Sequence, residues 1–443
     1  MLMVVHAFAQ QKRLFTETEK EKEQRMAWWV NDRFGMFIHW GLYALPARHE
    51  WVKSREKMTN EQYQKYFDVF NPDLFDPKTW VREAKAAGMK YAVLTTKHHE
   101  GFCLFDSKYT DYKATNTAAK RDLVREYVDA FRAEGIKVGF YYSLLDWHNP
   151  DYTIDKNHPL RPLNDSDQAA YAKLNKNRDI AKYRQYLRNQ LTELLTNYGK
   201  IDVLWLDFSF FDKYGHGKGK NDWGSVELIK LIRKLQPGII INNRLDLGEY
   251  ADGADFVTPE QVTTTELEKY KGKVWETCQT FSGSWGYNRD ENTWKTQRQL
   301  LNLLITSVSN GGNLILNVGP TARGEFDYRA KNALDSLSIW MHSNSKAIYG
   351  CTYAPEPFIT PDGDRLTYNP VTKRIYLHLY NYPADGKILL TGYAGKIKYA
   401  QFLHDDSELR FTTSGNDIAL TLPLNKPNFV IPVVELLLND GYK

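Results

Sequence analysis

Charged and imidazole side chains recur immediately after short apolar runs in this chain. His39 follows FGMFI, His98 and His99 follow AVLTTK, Asp207 follows DVLWL, and Arg244 follows IIINN. Tyr141 lies in GFYYS, Glu260 follows Thr258-Pro259, Glu276 follows Trp275, and Glu50 precedes Trp51 in a long connection. Paired carboxylates among histidine and aromatic donors are the equipment for glycoside hydrolysis: one carboxylate attacks or supports the anomeric carbon and the other protonates the departing oxygen. The second must keep its proton near neutral pH, so its surroundings must raise its pKa. Asp207 is the expected nucleophile, because Trp205 and Leu206 make a rigid strand end. The acid stays open among Glu50, Glu260 and Glu276. Glu276, beside Trp275, reads as buried and suited to a hydrogen bond with substrate or near Trp285, whereas Glu260 follows a proline in a loop and is free to move.

Other chemistries find less support. His98 and His99 are adjacent, so on a strand they point to opposite faces, and neither H-x-H nor H-E-x-x-H spacing occurs; no metal and no cofactor is expected. G-x-S-x-G is absent, and Cys103 and Cys278 lie in apolar surroundings that suit buried structural thiols. Three cysteines do not make a disulfide framework. The 58 basic and 54 acidic residues leave a net charge of +4 without a long basic run, so nucleic acid is not an expected partner. The 12 Trp, 28 Tyr and 21 Phe instead suit sugar rings, which offer apolar C–H faces together with hydroxyls.

The elements that must carry these residues alternate. Strands are expected at Phe34–Trp40, Lys90–Thr96, Ile136–Tyr142, Ile201–Phe208, Ile239–Asn242, Asp255–Thr258, Lys273–Trp275 and Asn313–Val318. Amphipathic helices are expected at Asp76–Ala87, Arg121–Glu134, Asp179–Tyr198, Val226–Leu235, Trp294–Val308 and Arg329–Lys346. This pattern predicts a (β/α)8-like, TIM-type barrel over residues 21–350, irregular in its second half, where connections are too short for full helices. At the carboxyl ends of such strands the loops converge on one pocket. Asn149–Asn177 reads as a long loop over its mouth, and KYGHGKGKND as a flexible loop. After Gly350 the alternation in RIYLHLYNY and the turns at Asp362-Gly363 and Asp385-Gly386 predict a C-terminal antiparallel β-sandwich over residues 351–443. No segment of the body reaches the roughly 18 apolar residues of a membrane span. The start, MLMVVHAFAQQKR, carries a short apolar run and an A-x-A pattern at Ala7 to Ala9. Residues 1–20 are therefore expected to be a truncated signal peptide and tail, and the protein to be periplasmic or secreted.

Seven ordered motifs resemble the α-L-fucosidases of glycoside hydrolase family 29. They are FGMFIHWG (34–41), TTKHHEGFCLF (95–105), GFYYSLLDW (139–147), DVLWLD (202–207), TPEQ (258–261), WETC with SWGY (275–287), and GGNLILNVGP (311–320). The resemblance implies a retaining exo-hydrolase that removes terminal α-L-fucose from oligosaccharides or glycoconjugates. It implies Asp207 as nucleophile and Glu260 as acid/base. The implied fucose pocket comprises His39, Glu50, Trp51, His98, His99, Tyr141, Trp205 and Arg244, with Phe37 and Trp285 enclosing the sugar's methyl group. A catalytically inactive fucose-binding protein on the same scaffold is the alternative, and a homo-oligomer is compatible with either.

Overall fold

The computed structural model describes residues 12–263, 265–439 and 441. The signal-peptide expectation at Ala7 to Ala9 lies outside the described residues. Seven parallel strands form the central sheet: β1 Phe34–Ile38, β2 Tyr91–Lys97, β3 Lys137–Ser143, β4 Val203–Asp207, β5 Ile240–Ile241, β6 Glu276–Thr280 and β7 Asn313–Val318. Their order is β5-β4-β3-β2-β1-β7-β6. Single parallel bridges, Asn242 with Phe256, Val257 with Trp275 and Glu260 with Cys278, join β5 to β6 and close the ring. The predicted irregularity of the second half is therefore confined to this arc, where the eighth strand is reduced to Phe256 and Val257.

Local sequence explains the helices between strands. Asp76 caps Pro77–Ala86, Asp122 caps Leu123–Ala133 and Asp179 caps Ile180–Asn197, each accepting a backbone N–H of the first turn. Thr296 and Gln299 make a reciprocal capping box before Gln297–Ser309. One of the helices not expected from the sequence is the first. Glu19–Asp32, also opened by a capping box at Thr18, places buried Met26 and Trp29 against Tyr91, Val203 and Phe256 in the barrel interior. It closes the amino end of the barrel, opposite the end where the loops converge.

Three sequence expectations need correction. The strand anticipated at Lys273–Trp275 lies at Glu276–Thr280, so Glu276 opens the strand instead of ending it. ETCQT looks like loop sequence, yet all five residues are buried, because barrel neighbours satisfy their polar groups. The stretch 149–177 is not patternless: Asp167 caps a helix at Gln168–Asn175. KYGHGKGKND is also ordered, with Phe210 and Lys218 paired through their backbones and a helical turn at Lys220–Trp223.

Beyond the barrel, β8 Arg365–Asn369, β9 Arg374–His378, β10 Lys387–Leu390, β11 Ile397–Phe402, β12 Phe411–Ser414, β13 Asp417–Thr421 and β14 Val433–Leu438 form two antiparallel sheets, ordered β11-β14-β9-β8 and β10-β13-β12. Leu377, Leu390, Phe402, Leu420 and Leu436 fill the space between them. The outer face of β9 is buried too, with His378 stacked 6.2 Å from Trp340 of the last barrel helix, whose indole N–H donates to Ile431 O at 2.8 Å. This is why Tyr376 and His378, which alternate with Ile375 and Leu377 along the strand, are buried as well. Among the described residues no helix is long and apolar enough to cross a membrane, and no group of three or more His, Cys, Asp or Glu is arranged to hold a metal ion.

Candidate active site

The carboxyl ends of the strands surround one pocket. Phe37, His39, Glu50, Trp51, His98, His99, Tyr141, Trp205, Asp207, Glu260 and Trp285 line it, together with Phe208 and Cys278. Arg244 reaches in from the end of β5. Its Nη1 donates to Asp207 Oδ1 at 3.2 Å and its Nη2 to Glu260 Oε2 at 2.9 Å. One guanidinium thus touches both carboxylates. All the residues proposed from the sequence are brought together here except Glu276, which lies behind Trp205. That carboxyl accepts the Tyr91 hydroxyl and the Trp205 indole N–H, the latter at 3.0 Å. Burial pushes Glu276 up to about 7, and its two donors anchor the aromatic wall. It has no path to a substrate oxygen.

The two carboxylates facing Arg244 are held differently. Asp207 is the last residue of β4, its side chain 15% exposed, with Tyr141 donating to Oδ2 at 2.8 Å. Burial pushes it up to about 6, reinforced by the charge of Glu260 and opposed by Arg244 and the Tyr141 hydrogen bond. Glu260 stands on the irregular arc with its side chain 45% exposed. The pocket is narrow, and Glu260 is the more exposed of its two carboxylates that face Arg244.

The opposite wall is fixed by a layer behind it. His39 Nδ1 lies 2.6 Å from Asn317 Oδ1, so that nitrogen carries the proton and Nε2 is left as an acceptor. His99 Nδ1 lies 2.6 Å from Ser143 Oγ, whose hydroxyl donates to Leu145 O at 2.9 Å. The same logic makes that ring nitrogen the donor. Burial pushes His39 down to about 3 and holds His98 and His99 well below the usual imidazole range, so all three are neutral hydrogen-bonding groups. Glu50 accepts Gly286 N–H at 2.9 Å, and burial pushes it up to about 7. His49 Nδ1, 3.0 Å from Glu50 Oε1, already accepts the Trp51 N–H. No proton bridges that contact unless Glu50 supplies it. His98 Nδ1 is buried without a hydrogen-bond partner among the described residues.

Backbone strain marks the same three carboxylates. His49 (φ 100°), Phe208 (φ 83°) and Gln261 (φ 46°) adopt left-handed conformations beside Glu50, Asp207 and Glu260. Such conformations are costly outside glycine and concentrate where a site must aim a side chain. Sequence reasoning missed this strain, and it missed Phe208, which packs 5.0 Å from His99 and 5.4 Å from Trp51. Cys278 is buried in the core as expected, but it also lines the pocket with Phe37 and Trp205, which sequence reasoning did not foresee. Period-two alternation from Glu276 would have identified it, had the strand been located correctly.

Comparison with known proteins agrees with this geometry. The family model for alpha-L-fucosidase matches residues 2–346. The chain belongs to the alpha-L-fucosidase family. Among solved structures, alpha-L-fucosidase isoenzyme 1 from Paenibacillus thiaminolyticus is 44% identical with a TM-score of 0.85, covering 95% of this chain and 100% of that one. A GH29 alpha-L-fucosidase from Bacteroides thetaiotaomicron, solved as a trapped covalent intermediate with 2-fluoro-fucosyl fluoride, is 30% identical with a TM-score of 0.79, covering 97% and 98%. The plasma alpha-L-fucosidase of Rattus norvegicus is 29% identical over 438 residues, 93% of this chain and 87% of that protein. The solved fucosidase structures thus account for the barrel with its C-terminal sheets.

Proposed function

We propose that the protein is a retaining exo-α-L-fucosidase that releases terminal α-linked L-fucose from oligosaccharides or glycoconjugates, with Asp207 as nucleophile and Glu260 as acid/base. The observation that carries this reading is the single Arg244 guanidinium bridging the two carboxylates. In a retaining enzyme the pair lies about 5 to 5.5 Å apart and acts on one sugar ring. Asp207 attacks C1 as Glu260 gives its proton to the leaving oxygen, forming a β-fucosyl ester. Glu260 then takes a proton from water, whose oxygen attacks C1 and frees Asp207 with net retention. During the first step the negative charge passes from Asp207 to Glu260, and during the second it returns. Arg244, in contact with both, stays beside one net negative charge throughout, so little reorganisation accompanies either step.

Neutral His39, His98 and His99, with Glu50, suit the ring hydroxyls, and Phe37, Trp205 and Trp285 suit the methyl group. The trapped covalent intermediate of the Bacteroides relative supports double displacement. The inactive-binder alternative loses ground, because both carboxylates are retained within reach of the same guanidinium. Glu50 competes for the acid role on pKa alone, but it is held by Gly286 on the wall away from Arg244. We assign residues 21–350 to catalysis and 351–443 to packing against the barrel. We also place the protein outside the cytoplasm, in keeping with the plasma enzymes among its relatives. The test is release of nitrophenol from para-nitrophenyl α-L-fucoside by wild type and Asp207→Ala, with azide added to the variant. β-Fucosyl azide from the variant identifies Asp207 as nucleophile. A wild type that binds fucose but turns over no fucoside returns the binding-protein reading.

A further inference from the structure

Arg244 must stay between Asp207 and Glu260 while negative charge passes from one to the other. Its long side chain has many rotamers, so an unheld guanidinium would follow whichever carboxylate is charged. The arc that leaves the Glu260 side chain 45% exposed is joined by single bridges and offers little rigidity of its own. Three contacts outside the carboxylate pair supply it. Ser209, two residues after Asp207, donates its hydroxyl to Arg244 O at 2.7 Å and accepts the indole N–H of fully buried Trp223 at 3.1 Å. That pair ties the Arg244 backbone to the chain leaving β4. The Trp205 ring centroid lies 5.5 Å from the guanidinium carbon. The third contact is Thr258.

Thr258 takes the Nε–Nη2 edge of the guanidinium and leaves Nη1 to Asp207. Arg244 Nε donates to the Thr258 hydroxyl at 2.8 Å, and Nη2 donates to Thr258 O at 3.4 Å. The hydroxyl passes its own proton to Asn243 Oδ1 at 2.9 Å. A guanidinium only donates, so the hydroxyl must accept from Nε, and Asn243 fixes the direction in which its hydrogen turns. Local sequence makes this holder stiff. Pro259 restricts the residue before it to extended backbone, and branching at Cβ restricts the Thr258 side chain to few rotamers. Valine would keep that shape and stiffness without the hydroxyl; serine would keep the hydroxyl. Glu260 lies two residues further on, so one short stretch of the arc both presents the acid/base and holds the arginine that touches it.

We propose that Thr258 is a positioning residue for the reaction: its hydroxyl, oriented by Asn243, holds the Arg244 guanidinium between the two carboxylates as charge moves across it. The proposal rests on the assignment of Asp207 and Glu260 above. Asp207 is faced by Arg244 from the end of β5, by Glu260 from the arc and by the Tyr141 hydroxyl from β3. The Cys278 thiol of β6 and the neutral imidazoles of His39, His98 and His99 line the same pocket. Arg244 is the one cation among these groups, so a guanidinium that wanders lets the acid limb of kcat/KM move to higher pH. The test is the pH profile of kcat/KM on para-nitrophenyl α-L-fucoside for wild type, Thr258→Val, Thr258→Ser and Asn243→Ala. Thr258→Val should lose about tenfold, the scale of one hydrogen bond to a charged group. Its acid limb should move to higher pH, in the direction expected of Arg244→Gln but by less. Thr258→Ser should restore both rate and limb. Asn243→Ala should move the limb the same way, and adding it to Thr258→Val should cost little more, because both act through one hydroxyl. An unmoved limb in Thr258→Val, whether or not its melting temperature falls, would overturn the proposal, as would a serine variant as impaired as the valine one. If Asp207→Ala with azide gives no β-fucosyl azide, the nucleophile assignment falls and this proposal with it. β-Fucosyl azide beside an unmoved limb removes the positioning role alone.

Discussion

The two halves of the barrel face the same pocket but are built differently. From β7 through β1 to β4 the pairing is continuous, and it delivers buried His39, His98, His99, Tyr141 and Trp205 and partly buried Asp207 at or just past strand ends. From β5 to β6 the ring is held by three single bridges, and this arc delivers Arg244 and Glu260. A strand end fixes position because its backbone is paired on both sides; a bridged loop leaves its side chains room to move. The nucleophile must meet one carbon along one line, whereas the acid/base must follow an oxygen that departs and a water that arrives. The division of roles proposed here follows that mechanical division.

That comparison can be broken most directly by truncating both carboxylates. Asp207→Ala should lower kcat by about 10^4-fold or more on every fucoside, with azide restoring part of it. Glu260→Ala should cost about 10^2- to 10^3-fold on substrates with poor leaving groups and much less on fucosyl fluoride, which needs no protonation. Equal dependence of both variants on leaving group would erase the distinction between the halves. Glu50→Ala sharpens it: if that variant, and not Glu260→Ala, shows the leaving-group dependence, the acid belongs to the rigid wall.

The pH profile gives a smaller, directional effect. With Asp207 pushed up to about 6, kcat/KM should rise with pH through an acid limb near 6, because only the ionised form attacks. Arg244 opposes that rise in pKa, so Arg244→Gln should move the limb to higher pH as well as lowering activity. A limb unmoved in that variant would show that Arg244 does not set the charge of Asp207.

The smallest effect is on stability. Burial pushes Asp207 in the folded protein up to about 6 from its ordinary 3.8, so ionisation is harder in the folded state than in the unfolded one. Stability should therefore fall as pH rises from about 4 to about 6 through this group. Asp207→Asn, which cannot ionise, should melt higher than wild type at pH 7 and lose that advantage at pH 4. At 1.36 kcal/mol per pKa unit the difference is at most about 3 kcal/mol. Thermal melts at the two pH values read it directly.

Most of the regular half was legible, because a buried parallel strand followed by a capped amphipathic helix leaves a local signature. Asp76-Pro77, Asp122 and Asp179 announce their helices, and AVLTTKHH and VLWLD announce their strands together with the residues they aim. The irregular arc was legible only as irregular. Its carboxylates are separated from any periodic element by proline and glycine, and β6 was displaced by several residues because ETCQT is polar. The helix Glu19–Asp32 was missed because its first two turns are almost wholly charged, so the two residues that enter the barrel do not make an apolar stripe.

The sequence by itself determined the alternation of strands and helices, the change to sandwich texture after Gly350, and the set of residues that meet at the strand ends, since each follows from local pattern or from a resemblance carried by contiguous motifs. Tertiary structure alone decided that Glu276 supports Trp205 from behind, that Cys278 lines the pocket, that Arg244 spans Asp207 and Glu260, and that Thr258 accepts the Arg244 Nε–H beside them. These depend on distances between residues far apart in the chain, which closure of the barrel sets and no local pattern encodes.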